Sequence, residues 1–106
     1  MDFEFHPEAE AEFLEAINYY EGCAQGLGLD FSLEVYTSIQ LITQHPLAWA
    51  THEGDIRRCL IHRFPFGILY SIEDQSILIL AVMNLRQEPG YWKSRTQNQA
   101  DSCASN

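Results

Sequence analysis

The chain has 106 residues, 46% of them hydrophobic, with six Lys/Arg against fifteen Asp/Glu and a formal net charge of −9. That length fits one domain able to bury its own core. The longest apolar run, Ile77 to Met83, is far too short to cross a bilayer, and so acidic a chain repels nucleic acid at long range unless a local basic site overrides the net charge.

The first residues, MDFEFHPEAEAE, are acidic and lack the basic start and apolar stretch of a secretory leader, so a soluble, cytoplasmic protein is expected. Phe3-Glu4-Phe5 alternates as a short strand does. His6-Pro7-Glu8 then opens a helix: proline at the first helical position forfeits no needed donor, and Glu8 and Glu10 suit the positive end of the dipole. Ala9, Phe13, Ala16, Ile17 and Tyr20 form its apolar stripe, with Glu8, Glu12, Glu15 and Glu21 expected on a solvated face.

Gly22 to Gly26 breaks that helix and Gly26-Leu27-Gly28-Leu29-Asp30 opens a second. Phe31, Val35, Ile39 and Ile42 keep the helical period until His45-Pro46 ends it. So short a link implies antiparallel neighbours, an αα-hairpin. Residues 47–55 read as a loop carrying Trp49, His52 and Gly54.

Arg57 to His62 reads as a half-polar strand, and the pattern does not decide which of Arg57 and Arg58 faces solvent. Phe64-Pro65-Phe66-Gly67 is a turn region, because proline does not suit a central strand. Phe66, Ile68, Tyr70 and Ile72 share one face of the next strand, and Glu73 to Ser76 is a polar hairpin loop. Ile77 to Met83 is apolar on both faces, which marks a strand covered on both sides. Glu88-Pro89-Gly90 is a turn, and residues 96–106 form a polar tail expected to fray. The order defines an α+β fold, β-α-α-β-β-β, with an antiparallel sheet packed against an αα-hairpin in a single domain over residues 1–95.

Charge is segregated along the chain. Residues 1–55 hold eleven Asp/Glu and no Lys/Arg, whereas residues 56–95 hold all six Lys/Arg and three Asp/Glu. The four histidines, His6, His45, His52 and His62, show no metal-binding spacing, so no metal site is expected. The three cysteines, Cys23, Cys59 and Cys103, are odd in number and far apart, which suits free thiols in a reducing compartment. No nucleophile motif or glycine-rich phosphate loop occurs, and no cofactor is implied. What remains is a basic and aromatic set: Arg57, Arg58, Arg63, Arg86, Tyr91, Trp92, Lys93 and Arg95. Arginine forks bind carboxylate or phosphate, and the aromatic residues beside them can anchor a protein interface, stack on bases, or pack back on the sheet.

One ordered set of short motifs is informative beyond this. His6-Pro7-Glu8-Ala9, Tyr19-Tyr20-Glu21, Gly26-Leu27-Gly28, Arg58, Arg63-Phe64-Pro65-Phe66, Ile68 and Tyr70, Ile79 to Val82, Arg86, Pro89-Gly90-Tyr91-Trp92 and Arg95 together resemble the RelE/ParE superfamily of toxins from type II toxin–antitoxin systems, also called plasmid stabilisation proteins. The resemblance covers about residues 3–95 and implies the same β-α-α-β-β-β order. It also implies a toxin that inhibits growth and is neutralised by a cognate antitoxin, in a possible toxin–antitoxin hetero-oligomer. The αα-hairpin and the Pro-Gly-Tyr-Trp ending resemble the ParE-like branch, whose members poison DNA gyrase. RelE-like members instead cleave messenger RNA on the ribosome. For that alternative Arg63 and Arg86 would clamp phosphate and Tyr91 would assist proton transfer. Many relatives carry histidine where this chain has Asn84, which removes a general base and tilts the expectation from cutting toward binding. A third alternative is a degenerate member without toxicity. The eight basic and aromatic residues are the expected partner contacts, and Arg86 and Tyr91 lead under either mechanism, as partner contacts or as catalytic groups.

Overall fold

The computed structural model describes residues 1–86 and 90–96. Its elements run β1 (Asp2–Phe5), α1 (Pro7–Cys23), α2 (Leu27–Gln44), β2 (Thr51–Glu53), β3 (Ile56–Leu60), β4 (Phe66–Glu73) and β5 (Ser76–Asn84), followed by a 3-10 turn at Lys93–Arg95. The expected turn at Glu88-Pro89-Gly90 is described only at Gly90, and the expected polar tail 96–106 only at Thr96; the rest of both lies outside the described residues.

The helices start and stop where local chemistry dictates. Pro7 fills the first position of α1, and the Glu8 N–H donates to His6 Nδ1 at 3.2 Å. Between the helices, Gly26 adopts φ +85°, a conformation open to glycine at little cost. The first amides of α2 then need an acceptor, since Gly26 has no side chain to cap them. Glu21 supplies it from α1: its carboxylate accepts from the Gly26 N–H at 2.9 Å and from the Gly28 N–H at 3.0 Å. Gly28 also sets the helix spacing, because a Cβ there would stand 2.7 Å from the Ile17 carbonyl oxygen.

The sheet corrects the expected one in two respects. It has five strands in the order β1-β5-β4-β3-β2, and it is mixed rather than antiparallel: β1 runs parallel to β5, pairing from Asp2↔Ser76 to Phe5↔Ile79, while the remaining pairs are antiparallel. The connection from β1 to its parallel neighbour β5 runs through the αα-hairpin and then the antiparallel strands β2, β3 and β4. The extra strand, β2, lies in what reads as a loop and pairs with β3 across Gly54-Asp55, with Gly54 at φ +56°.

One face of the sheet meets the helices. Phe66, Ile68 and Tyr70 from β4, Ile77, Ile79 and Val82 from β5, and Cys59 from β3 join Ala9, Phe13, Ala16, Phe31, Val35, Ile39 and Ile42 in the main core. The opposite face carries a smaller cluster of Ile56, Leu69, Leu80, Ala81, Met83 and Trp92. The alternation along β5 slips at Leu80-Ala81, opposite the register shift between Leu69 and Tyr70. Ile77 and Ile79 face the helices, Leu80 and Ala81 both belong to the other cluster, and Val82 returns to the helix side. Such a bulge rotates the strand locally and frees backbone groups on an edge that β1 no longer covers, since its pairing ends at Ile79. Among the described residues no helix is long and apolar enough to cross a membrane.

Candidate functional site

The eight basic and aromatic residues do not form one face. Arg57 and Tyr70, paired across β3 and β4, pin the segment after α2: Arg57 Nη1 donates to the Trp49 carbonyl, and the Tyr70 hydroxyl donates to the Pro46 carbonyl at 2.6 Å. Arg58 lies beside Gly67 together with the half-exposed Leu60 and Leu85. Arg63 sits over the Phe64 ring at 5.4 Å and meets Asp30 of α2 at 3.6 Å, in the open. Lys93 pairs with Glu53 of β2 at 2.9 Å, also in the open.

Residues 90–96 form a strap across the back of the sheet. Trp92, expected as a partner contact, instead buries its ring in the smaller cluster, and its indole N–H finds no acceptor among the described residues. Arg95 reaches around the open edge of β5 to α1. Its guanidinium forms a bidentate pair with Glu12, at 2.9 Å to each carboxylate oxygen, and donates to the Leu80 carbonyl at 3.0 Å. Glu12 Oε1 also accepts from the Val82 N–H at 3.1 Å. The ion pair therefore satisfies the two backbone groups that the β5 bulge exposes, with the Arg95 side chain only 7% exposed and Glu12 21% exposed. Glu12 was expected on a solvated helix face, and it instead caps a strand edge. Its partner is 83 residues away in sequence, and no helical period reports such a contact.

Tyr91 closes this knot. Its ring lies 4.9 Å from the Arg95 guanidinium carbon. Burial first, then the hydrogen bond to Glu12 and that carboxylate's charge, hold the phenol well above its ordinary range against the opposing pull of Arg95. Burial opposes the charge of Arg95, and Glu12, Tyr91 and Glu8 together outweigh it, so that charge is held more firmly than usual. Tyr91 is thus a neutral hydroxyl committed to an internal contact.

Arg86 lines a cavity beside α1. A groove of about 380 Å³ runs between α1 and the end of β5, walled by Glu15, Tyr19 and Tyr20 on one side and by Phe66, Val82 and Arg86 on the other. The Arg86 N–H donates to the Asn84 side-chain oxygen at 2.9 Å, which spends that oxygen on the local turn. Glu12 also lines this groove. Arg63 instead borders a separate, shallower depression with Asp30, Leu33, Glu34 and Thr37 of α2. The groove joins Tyr19 and Tyr20, which the sequence motif contains but the residue chemistry alone does not single out, to the basic residue that leads the set.

An αα-hairpin laid on a small mixed sheet, with a groove beside the last strand, defines a RelE/ParE-like α+β toxin fold. The chain belongs to the family described as the ParE toxin of type II toxin–antitoxin systems, parDE, whose model matches residues 3–89. A solved structure described as a chromosomal ParDE toxin–antitoxin system from P. aeruginosa is similar to it in fold, with a TM-score of 0.67 at 17% identity, covering 79% of this chain and 95% of that one. Comparison with curated proteins gives no match. Residues 90–96 fall outside the matched range, so Tyr91, Trp92, Lys93 and Arg95 are described by their geometry alone.

Proposed function

We propose that the chain is a growth-inhibiting toxin that binds a protein target, DNA gyrase, through the groove headed by Arg86, and that a cognate antitoxin neutralises it. The family match over residues 3–89 carries the reading. The neighbouring fold belongs to a structure described as a ParDE toxin–antitoxin system, which supports an antitoxin as partner.

Three features favour binding over RNA cleavage. Arg63 and Arg86, the pair that would clamp a phosphate, border different depressions. Tyr91, the proton-transfer candidate, is engaged with Glu12 and Arg95. Position 84 holds an asparagine, which cannot serve as a base near neutral pH. Arg86 is the leading contact residue, with Tyr19 and Tyr20 as aromatic neighbours suited to a protein interface. Arg63 borders a separate depression, and Trp92 and Arg95 serve by holding the strap.

Induced expression of the chain alone should arrest growth, and co-expression of the antitoxin encoded beside it should restore growth. Primer extension on messenger RNA from the arrested cells should show no codon-dependent cuts. Unimpaired growth would overturn the toxin reading, and specific cuts would replace gyrase binding with ribosome-dependent cleavage.

A further inference from the structure

An unpaired sheet edge is a place where two copies of a chain can join. Among the described residues this sheet leaves its edge open on β1, on β2 and on β5 past Ile79. β1 is short and carries Asp2 and Glu4. β2 is shorter still, is broken by a register shift between Thr51 and Glu53, and carries the Glu53–Lys93 pair. Short, bulged and charged edges of this kind resist pairing. The β5 stretch is different. β1 covers it only as far as Ile79, where the His6 N–H donates to the Ile79 carbonyl at 2.9 Å. Beyond that point Leu80-Ala81-Val82-Met83 continues the uncharged run from Ile77, a composition that pairs readily with a copy of itself.

Two side chains from elsewhere take the place of a strand there. Arg95, from the strap, donates to the Leu80 carbonyl at 3.0 Å, and Glu12, from α1, accepts from the Val82 N–H at 3.1 Å. A neighbouring strand would bond to these same backbone groups. Here a guanidinium and a carboxylate bond to them instead, and they hold each other at 2.9 Å through both carboxylate oxygens. An approaching strand would have to break this bidentate pair and would leave both charges without a partner. The net charge of −9 adds a long-range repulsion between copies. Salt screens that repulsion, whereas a largely buried pair is screened much less.

We infer that Glu12 and Arg95 guard the β5 edge, and that without this pair residues 80–83 become a strand-pairing surface for a second copy of this chain. The two copies would meet edge to edge about a two-fold axis, with the same stretch presented by each. This role is separate from the pair's contribution to stability, and it holds whatever target the Arg86 groove takes.

Sedimentation velocity on the full chain over a range of concentrations tests this. Arg95→Ala should self-associate at about tenfold lower concentration than wild type, and added salt should strengthen the association. Gly28→Ala disturbs the seam between the helices and leaves the pair intact, so it separates lost stability from a lost guard. At a temperature where both variants keep the wild-type circular dichroism spectrum, Gly28→Ala should sediment as wild type does. Hydrogen exchange read by mass spectrometry should show residues 80–83 of Arg95→Ala gaining protection as concentration rises. Should Arg95→Ala fail to fold, Arg95→Lys keeps the charge without the fork that reaches Leu80 and both Glu12 oxygens at once. It should shift association in the same direction by a smaller factor. A folded Arg95 variant that sediments as wild type does, equal association by Gly28→Ala, or protection that rises elsewhere than at residues 80–83 would each overturn the inference.

Discussion

Glu12 and Arg95 do for the β5 edge what another strand would otherwise do. They satisfy Val82 N–H and Leu80 C=O, and they do so with each other's charge as compensation. Removing one partner of a buried ion pair costs roughly 3–5 kcal/mol, and the partial exposure of Glu12 trims this, so Arg95→Ala should lower unfolding free energy by about 2–3 kcal/mol in urea titration. Lys93→Ala, which breaks the open pair with Glu53, should change it by less than about 1 kcal/mol. Tyr70 gives a pH signature. Burial pushes its hydroxyl up to about 12, against a smaller opposing effect of Arg57. The folded state therefore holds this proton more tightly than the unfolded chain. Its stabilising contribution is complete below the ordinary tyrosine value and is lost as pH rises toward about 12. Tyr91 shifts in the same direction and adds to the decline. Thermal melts across the alkaline range should show stability falling above about pH 10. Tyr70→Phe should cost about 1 kcal/mol near neutrality, through the lost bond to Pro46, and should flatten part of that decline.

At the scale of elements, the helix hairpin depends on one glycine and one carboxylate. Gly28→Ala would drive a methyl group against the Ile17 carbonyl, so α2 must move away from α1. A loss of about 1–3 kcal/mol in urea titration is expected, as for other overpacked contacts. Glu21→Ala leaves the Gly26 and Gly28 amides without their acceptor and should cost about 1 kcal/mol by the same measurement. The apolar stripes of α1 and α2 and the shared face of Phe66, Ile68 and Tyr70 were legible in the sequence, because burial imposes a period on them. The short strand β2 was not, although Gly54-Asp55 before an apolar residue is a hairpin signal; Thr51-His52-Glu53 has no apolar alternation to accompany it. The parallel pairing of β1 with β5 was also hidden, since two edges distant in sequence leave no local pattern.

At the scale of the molecule, the segregation of charge was readable and its arrangement was not. The six basic residues share one stretch of sequence, but alternation along strands and the turn of the strap send them to different surfaces. Arg57 pins a loop, Arg95 closes a strand edge, Arg63 meets an acidic helix, and Arg86 enters the groove. Residue chemistry alone suggests a patch, whereas the fold places Arg86 in one groove with Tyr19 and Tyr20, and the proposal takes it as the leading contact. The proposed toxin action depends on that contact, and a supercoiling assay with purified gyrase and purified chain tests it most directly. The wild-type chain should inhibit supercoiling, and Arg86→Ala should require about tenfold more protein for the same inhibition, the loss of about 1.4 kcal/mol at a contact residue. Supercoiling left unaffected by a large excess of folded wild-type chain would contradict gyrase as the target.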